Sequence, residues 1–435
     1  ALVGTSYEHY KYERLAGSRE EFPSDALTDM EAGSTSGAGY TNGAGSSEYK
    51  MLSYFARVNY TLMDRYLFEV NMRADASSRF HKDHRWGYFP SFSAGWRMSE
   101  ESRASYGTLG NINNVGNYDY FQNYSSGNHY NFSDSPVIGI GESKPANETL
   151  GWEKVALTDI GLDFDIFNGL LGVTADYYIK NTSDILLGYN VPTETGITAA
   201  PSQNIGKVKN TGFELALNHR NKIGAVNYSI GANIATNKNK ITNLGGSDNI
   251  IQTSSYIVKY ILKKGESIGS FYGFKTDGLY TQADIDAGHY YTLSGVVPNA
   301  GDIKFVPQRD IEYKQEITDE DRTILGKDVP DFTYGVNLSL QYKGFEFSMF
   351  GQGISGTKVA FDVYGVHPFY HGQDSPRKYH LKRWTEENPN PHAAYPRIYS
   401  ASSVHTTYNR NFSDYHLFDS DYFRFKTLSL GYTVP

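Results

Sequence analysis

The chain has 435 residues, 40 Lys and Arg against 48 Asp and Glu for a formal charge of −8, and no cysteine. A mildly acidic chain is poorly suited to neutralising nucleic-acid phosphates, and without cysteine there is no disulfide scaffold, thiolate metal centre or thiol nucleophile. The 36 Tyr, 24 Phe and 43 Gly exclude disorder and disfavour a helical fold, leaving a soluble β protein or a membrane β-barrel with aromatic girdles.

Mean hydropathy is −0.51. No apolar run approaches the roughly 18 residues of a membrane helix. The opening stretch Ala1–Tyr7 has neither initiator Met nor a basic region followed by an apolar core, so a mature or partial product is expected.

Period two dominates from the start. A first strand is expected at Leu2–Tyr12. Tyr54, Ala56, Val58, Tyr60 and Leu62 then alternate with Phe55, Arg57, Asn59 and Thr61. After Met63-Asp64-Arg65, Tyr66, Phe68, Val70, Met72 and Ala74 alternate with Leu67, Glu69, Asn71, Arg73 and Asp75, which makes a hairpin. Arg103–Gly107 follows the Ser99–Ser102 turn almost at once, leaving few residues for a full fifth crossing. Ile160, Leu162 and Phe164 then oppose Asp159, Asp163 and Asp165. Val173, Ala175 and Tyr177 oppose Thr174, Asp176 and Tyr178. The grammar continues through Phe213–Arg220, Val226–Ile234 and Phe332–Tyr342, and after Lys343-Gly344 through Phe345, Phe347 and Met349. The last strand, about Asp421–Thr433, changes phase: Phe423 and Phe425 lead, then Leu428, Leu430 and Tyr432. A bulge near Lys426-Thr427 accounts for the change.

Two features choose between the classes. The apolar faces carry no charge, while the opposite faces carry Arg57, Glu69, Arg73, Asp163, Asp176 and others. Several strands also run to ten residues or more, enough to cross a bilayer at a tilt. Only a closed sheet satisfies every backbone group in lipid. The expectation is all-β: a transmembrane antiparallel β-barrel, of which about twelve strands are present, with residues 1–435 forming one barrel portion. Short turns alternate with long connections at about Ala16–Ser47, Ser77–Phe89, Thr108–Lys154, Thr182–Ile205, Lys238–Asp331 and Gly356–Ser420, the asymmetry of outer-membrane barrels with long outer loops. The end at Pro435, directly after a strand, is read as a truncation.

Several runs resemble the SusC/RagA family of TonB-dependent outer-membrane importers. They include Arg73-Ala74-Asp75-Ala76-Ser77-Ser78-Arg79-Phe80, Arg85-Trp86-Gly87-Tyr88-Phe89-Pro90-Ser91, Leu150-Gly151-Trp152-Glu153, Asn210-Thr211-Gly212-Phe213-Glu214, Pro330-Asp331-Phe332-Thr333-Tyr334-Gly335 and Leu430-Gly431-Tyr432-Thr433-Val434-Pro435. The resemblance implies a 22-strand barrel of the bacterial outer membrane with an N-terminal plug and TonB box, neither of which this chain contains. It implies partners as well: TonB acting through the plug, a SusD/RagB-like surface lipoprotein as lid, and a dimer of such pairs. The implied activity is active import of oligosaccharide or oligopeptide, without cofactor or covalent chemistry. The alternatives are a passive twelve-strand porin or adhesin, which requires closure between the first and last strands, and an outer-membrane hydrolase.

Binding residues concentrate on loops held by a rigid scaffold. Tyr118, Tyr120, Phe121, Tyr364, Phe369, Tyr370, His371 and Trp384 are therefore the candidate substrate contacts, with loop-on-loop packing as the alternative. His81, His84, His367 and His371 are read as polar loop residues rather than metal ligands, and Asp319-Glu320-Asp321 as a solvated loop. The run Gln308–Glu316 lacks the glycine and alternating oxygen ligands of a calcium loop. Asp159, Asp163, Asp165 and Asp176 are read as a wet wall rather than catalytic acids.

Overall fold

The computed structural model describes residues 1–26, 29–34, 41–97, 101–132, 135–167, 169–188, 195, 197, 201–253, 257–361, 368 and 375–434. Twelve long strands form the wall: β1 (Leu2–Ser18), β2 (Thr41–Leu62), β3 (Tyr66–Ser77), β4 (Trp86–Arg97), β5 (Glu101–Asn111), β6 (Glu153–Ile166), β7 (Leu171–Gly188), β8 (Ser202–Ile223), β9 (Val226–Thr236), β10 (Phe332–Tyr342), β11 (Phe345–Ser355) and β12 (Tyr422–Tyr432). They are hydrogen-bonded neighbours in chain order along one path, an up-and-down meander, with Lys238–Leu244 pairing onto β8 beside it. The chain divides into two compact units, Ala1–Arg97 with Arg103–Thr158 and Thr182–Gly206, and Met98–Ser102 with Asp159–Asn181 and Lys207–Pro435.

In the first unit β1 pairs along its whole length with β2, and β2 with β3 and β3 with β4, all antiparallel. The turn between β2 and β3 places Met63 and Asp64 at φ 55° and 52°. Two consecutive left-handed residues match the twist of the flanking strands. The apolar face is open: Val58, Val70 and Phe92 are 54%, 57% and 56% exposed. On this face of β4, Trp86 stacks on Tyr54 and Trp96 on Tyr66. The two indoles are ten residues apart, about 33 Å along a strand and about 25 Å at a barrel tilt, the height of an outward apolar band. In lipid this face is solvated by acyl chains.

The second unit repeats the arrangement. Antiparallel ladders join β8 to β9, β9 to β10, β10 to β11 and β11 to β12. Leu162 and Ile230 are 52% and 44% exposed, and Leu338, on the same face of its strand as Val336 and Leu340, is half-buried by its neighbours. Lys343 and Gly344 turn β10 into β11 with φ 45° and 85°. The expected bulge is present: Phe350 pairs with Thr427 and Gly351 with Phe425, leaving Lys426 unpaired. The extra residue lets Phe423 and Phe425 share the outward face with Leu428 and Leu430.

Among the described residues β1 pairs with β2 alone and β12 with β11 alone, so the closure that a twelve-strand porin requires is not formed by these ladders. The expected loop bounds need correction. β1 and β2 run on to Ser18 and back from Thr41, and β7 and β8 reach Gly188 and Ser202. The β1 and β2 extensions are polar and Gly-rich, so ladder pairing carries them without an apolar face to announce them, while β7 ends in the apolar run Ile185-Leu186-Leu187. The fifth strand is a full eleven residues, Glu101–Asn111.

The long connections of the second unit also fold. Short strands Asn249–Thr253, Lys259–Lys263, Ser270–Gly273 and Thr323–Lys327 make a four-stranded sheet. Helices Gln282–Asp286 and Val404–Asn409 begin at N-caps Thr281 and Ser403. A core of Phe274, Leu279, Ile303, Phe305, Ile317, Trp384 and Tyr408, and a second of Val258, Phe271 and Phe412 against the four-stranded sheet, give this connector module its interior.

Candidate functional site

In the first unit the polar faces of β2–β5 line a cleft of about 980 Å³. Its polar wall is a ladder of side chains. Arg57 Nε donates to Asn71 Oδ1 at 2.8 Å, and Asn71 Nδ2 donates to Glu69 Oε1 at 2.8 Å. Arg73 Nε donates to both carboxylate oxygens of Asp75, at 2.9 and 2.8 Å. The Arg57–Asn71 bond crosses from β2 to β3, whereas Asn71–Glu69 and Arg73–Asp75 join neighbours on one face of β3; together they keep charge paired on the wet side of the sheet. Phe89 and Trp152 give the cleft an apolar shelf, their centroids 5.5 Å apart and edge to face. Gly87 and Gly110 make room for the Phe89 ring, which would lie 2.4 and 2.1 Å from a Cβ at either position.

Toward the long-connection end, rings gather. Tyr10 and Tyr49 are directly paired across β1 and β2 and stack at 5.4 Å. The Arg79 guanidinium lies 4.2 Å from the Tyr49 ring centroid, and its Nε donates to Asn117 Oδ1 at 2.9 Å. Tyr118 Oη accepts from the Glu48 backbone N–H at 3.3 Å. Phe121 lies 4.2 Å from Tyr120 and 6.4 Å from Tyr118. Tyr118 and Phe121 are about half exposed. Tyr120 packs against the buried cluster of Phe80, Phe89, Val115, Leu150 and Trp152. The expected trio Tyr118, Tyr120 and Phe121 is thus one patch, in which Tyr120 is the anchor and the other two present ring faces. Tyr10, Tyr49 and Arg79 were missed. Their signal was register, since the β1–β2 pairing puts Tyr10 and Tyr49 on one face.

In the second unit Trp384 takes the alternative role foreseen for these aromatics. It is 5% exposed, inside the module core, with Gly301 against its ring and the Arg397 guanidinium 5.5 Å from its centroid, so it offers no stacking face. Tyr364, Phe369, Tyr370 and His371 lie outside the described residues, as does His367.

Asp319 and Glu320 are exposed, but Asp321 is not part of a solvated loop: its side chain is fully buried. It accepts from the backbone N–H groups of Gln308, Arg309 and Thr318, each at 3.0 Å, and from Arg309 Nη2 at 2.7 Å. Burial alone would raise this carboxyl, but the Arg309 guanidinium and the backbone donors outweigh it and hold it at about 2. Asp302 is an equally buried clasp, accepting from Asn299 N, His405 Nδ1 and Asn409 Nδ2 at 2.8, 2.8 and 2.9 Å. These carboxylates pin the module's segments together.

No group of three or more His, Asp or Glu suited to a metal ion occurs among the described residues. His81 pairs with Asp83 and meets Tyr120 edge-on. Asp159, Asp163 and Asp165 sit on the face of β6 opposite Ile160 and Leu162.

The family of TonB dependent receptor-like β-barrels matches residues 3–435. The chain belongs to the TonB-dependent receptor β-barrel family. This TonB-dependent receptor barrel is similar to TonB-dependent receptor P3 of Formosa agariphila, with 30% identity over 457 residues covering 100% of the chain and 43% of that protein. It is 32% identical over 318 residues to TonB-dependent receptor SusC of Bacteroides thetaiotaomicron, covering 68% of the chain and 30% of SusC. The solved RagAB peptide transporter shares the fold, with a TM-score of 0.78 at 24% identity, covering 100% of the chain and 46% of that one. The SusC/RagA resemblance read from the motifs is borne out, and the exposed apolar belt is an outer-membrane belt. The chain spans less than half the length of each of these relatives.

Proposed function

We propose that the receptor to which this barrel belongs imports an oligosaccharide or oligopeptide across the outer membrane. TonB supplies the energy by acting on a plug, and a SusD-like lipoprotein closes the mouth. The observation that carries the reading is the wall itself, with an uncharged belt outside and a hydrated, charge-paired face inside, ending in the aromatic patch of Tyr10, Tyr49, Tyr118 and Phe121. Rings of this kind stack on sugar faces or grip peptide side chains. The wall guides and the patch captures; neither needs to break a bond.

The test is uptake by cells carrying or lacking the intact receptor, each with and without TonB. Accumulation that needs both supports import. Accumulation without TonB, or cleavage of glycan or peptide by the purified protein, overturns it. Purification in mild detergent tests the lid, with a surface lipoprotein expected in the complex.

A further inference from the structure

The inner faces of the second unit are not uniform. β6 and β7 present Asp159, Asp163 and Asp176. On β8 the inward row carries Glu214, Arg220 and Lys222. The next two strands carry no charge on that face. Asn227 pairs with Gln341 and Ser229 with Ser339; Gly231 pairs with Asn337 and Asn233 with Gly335. Charge returns at both borders: Lys222 and Arg220 lie across from Asn227 and Ser229, and Glu346 lies across from Gln341. Carboxamides also fold inward over the middle of this strip. A Cβ on Gly231 would meet Asn337 Oδ1 at 2.1 Å and Asn218 Oδ1 at 2.9 Å.

We propose that the inner face of β9 and β10 is the lane along which the imported solute passes, and that the solute is uncharged and rich in hydroxyl or amide groups. The inference rests on the transport reading above. Amides and hydroxyls donate and accept alike, so they exchange hydrogen bonds with a hydrated solute one for one. Each such exchange is nearly neutral in free energy. A charged wall holds what it touches more strongly, because charge-assisted bonds are about twice as strong as neutral ones. Passage is favoured where contacts are many and individually weak. Oligosaccharides and uncharged oligopeptides share this chemistry.

The chain has no cysteine of its own, so single thiols report cleanly. In the intact receptor, whose segments outside this chain are checked for cysteine, Ser229→Cys and Ser339→Cys are compared with Asp163→Cys and Thr174→Cys on the charged wall. Each is treated with a bulky maleimide in cells, and TonB-dependent uptake of fluorescent maltoheptaose and of a fluorescent uncharged hexapeptide is measured. Labelling at Ser229 and Ser339 is expected to reduce uptake to that of cells lacking the receptor, with labelling at Asp163 and Thr174 leaving it near the unlabelled level. The uptake of each unlabelled variant reports folding, and whichever probe enters identifies the source of the chemistry. Equal block at all four positions, or block at the charged wall alone, overturns the lane. If the unaltered receptor accumulates neither probe nor any charged analogue, the transport reading itself fails.

Discussion

The ring of Tyr334 occupies the space that a side chain on Gly353 would fill. The two are directly paired across β10 and β11, and a Cβ on Gly353 would fall 2.5 Å from the tyrosine Cζ. Phe423 flanks the same glycine from β12, its ring parallel to Tyr334 within 2°. Covering a strand glycine with a neighbouring ring restores the packing that the glycine forfeits. Gly353→Val therefore forces the Tyr334 ring aside and presses on the Tyr422 backbone carbonyl, at a cost of about 1–3 kcal/mol. Thermal unfolding of the detergent-solubilised receptor is expected to shift downward, and Tyr334→Ala to do less harm than the glycine substitution. An unchanged melting temperature for Gly353→Val would refute this packing.

Deleting Lys426 removes the bulge. Phe425 then precedes Thr427 directly and still faces Gly351, so Phe423 and Phe425 keep the outward face in an unbroken alternation. Membrane insertion is expected to be retained by the deletion and by Lys426→Ala alike, measured as heat-modifiable barrel in outer-membrane fractions; a sharp fall on deletion alone would show that Lys426 is not the unpaired residue of a bulge.

Asp321 predicts an acid limit for the connector module. Its folded value of about 2 lies below the ordinary 3.8, so the ionised form stabilises the module above about pH 3.8 and that contribution is lost as pH falls through 2. The linkage is at most about 2 kcal/mol. Limited proteolysis of the receptor between pH 5 and pH 2 is expected to find the module protected until the lower end of that range. Asp321→Asn should be cut readily at neutral pH.

The aromatic residues separate by role. Tyr118→Ala and Phe121→Ala are expected to lower uptake roughly 2- to 10-fold, the equivalent of about 0.5–1.5 kcal/mol per lost ring contact, with normal amounts of receptor in the membrane. Trp384→Ala instead vacates a core position at about 3–5 kcal/mol and should expose the module to protease. Equal effects of all three on receptor abundance would contradict the division.

These contrasts show where the sequence was informative. The hairpin at Met63-Asp64 and the phase change at Lys426 were legible because an apolar face must keep one direction along a strand, and a break in that rhythm has few explanations. The polar extensions to Ser18 and from Thr41 were not, because a ladder held by backbone hydrogen bonds needs no apolar alternation. Trp384 and Phe121 are indistinguishable by residue type and loop context. What separates them is the fold of the connector module, whose clasp at Asp302 joins residues far apart in the chain, His405 and Asn409. The Tyr10–Tyr49–Arg79 group lay hidden for the same reason: its members meet only once the β1–β2 register is known.

The separation of Trp86 from Trp96 fixes the depth at which this part of the wall floats. An indole at each headgroup layer resists movement in both directions, so hydrocarbon of another thickness must itself stretch or thin to meet the protein. The elevation of Tyr49 and Tyr118 over the lipid surface is then a built-in constant, and any lid that covers them meets them at a fixed height.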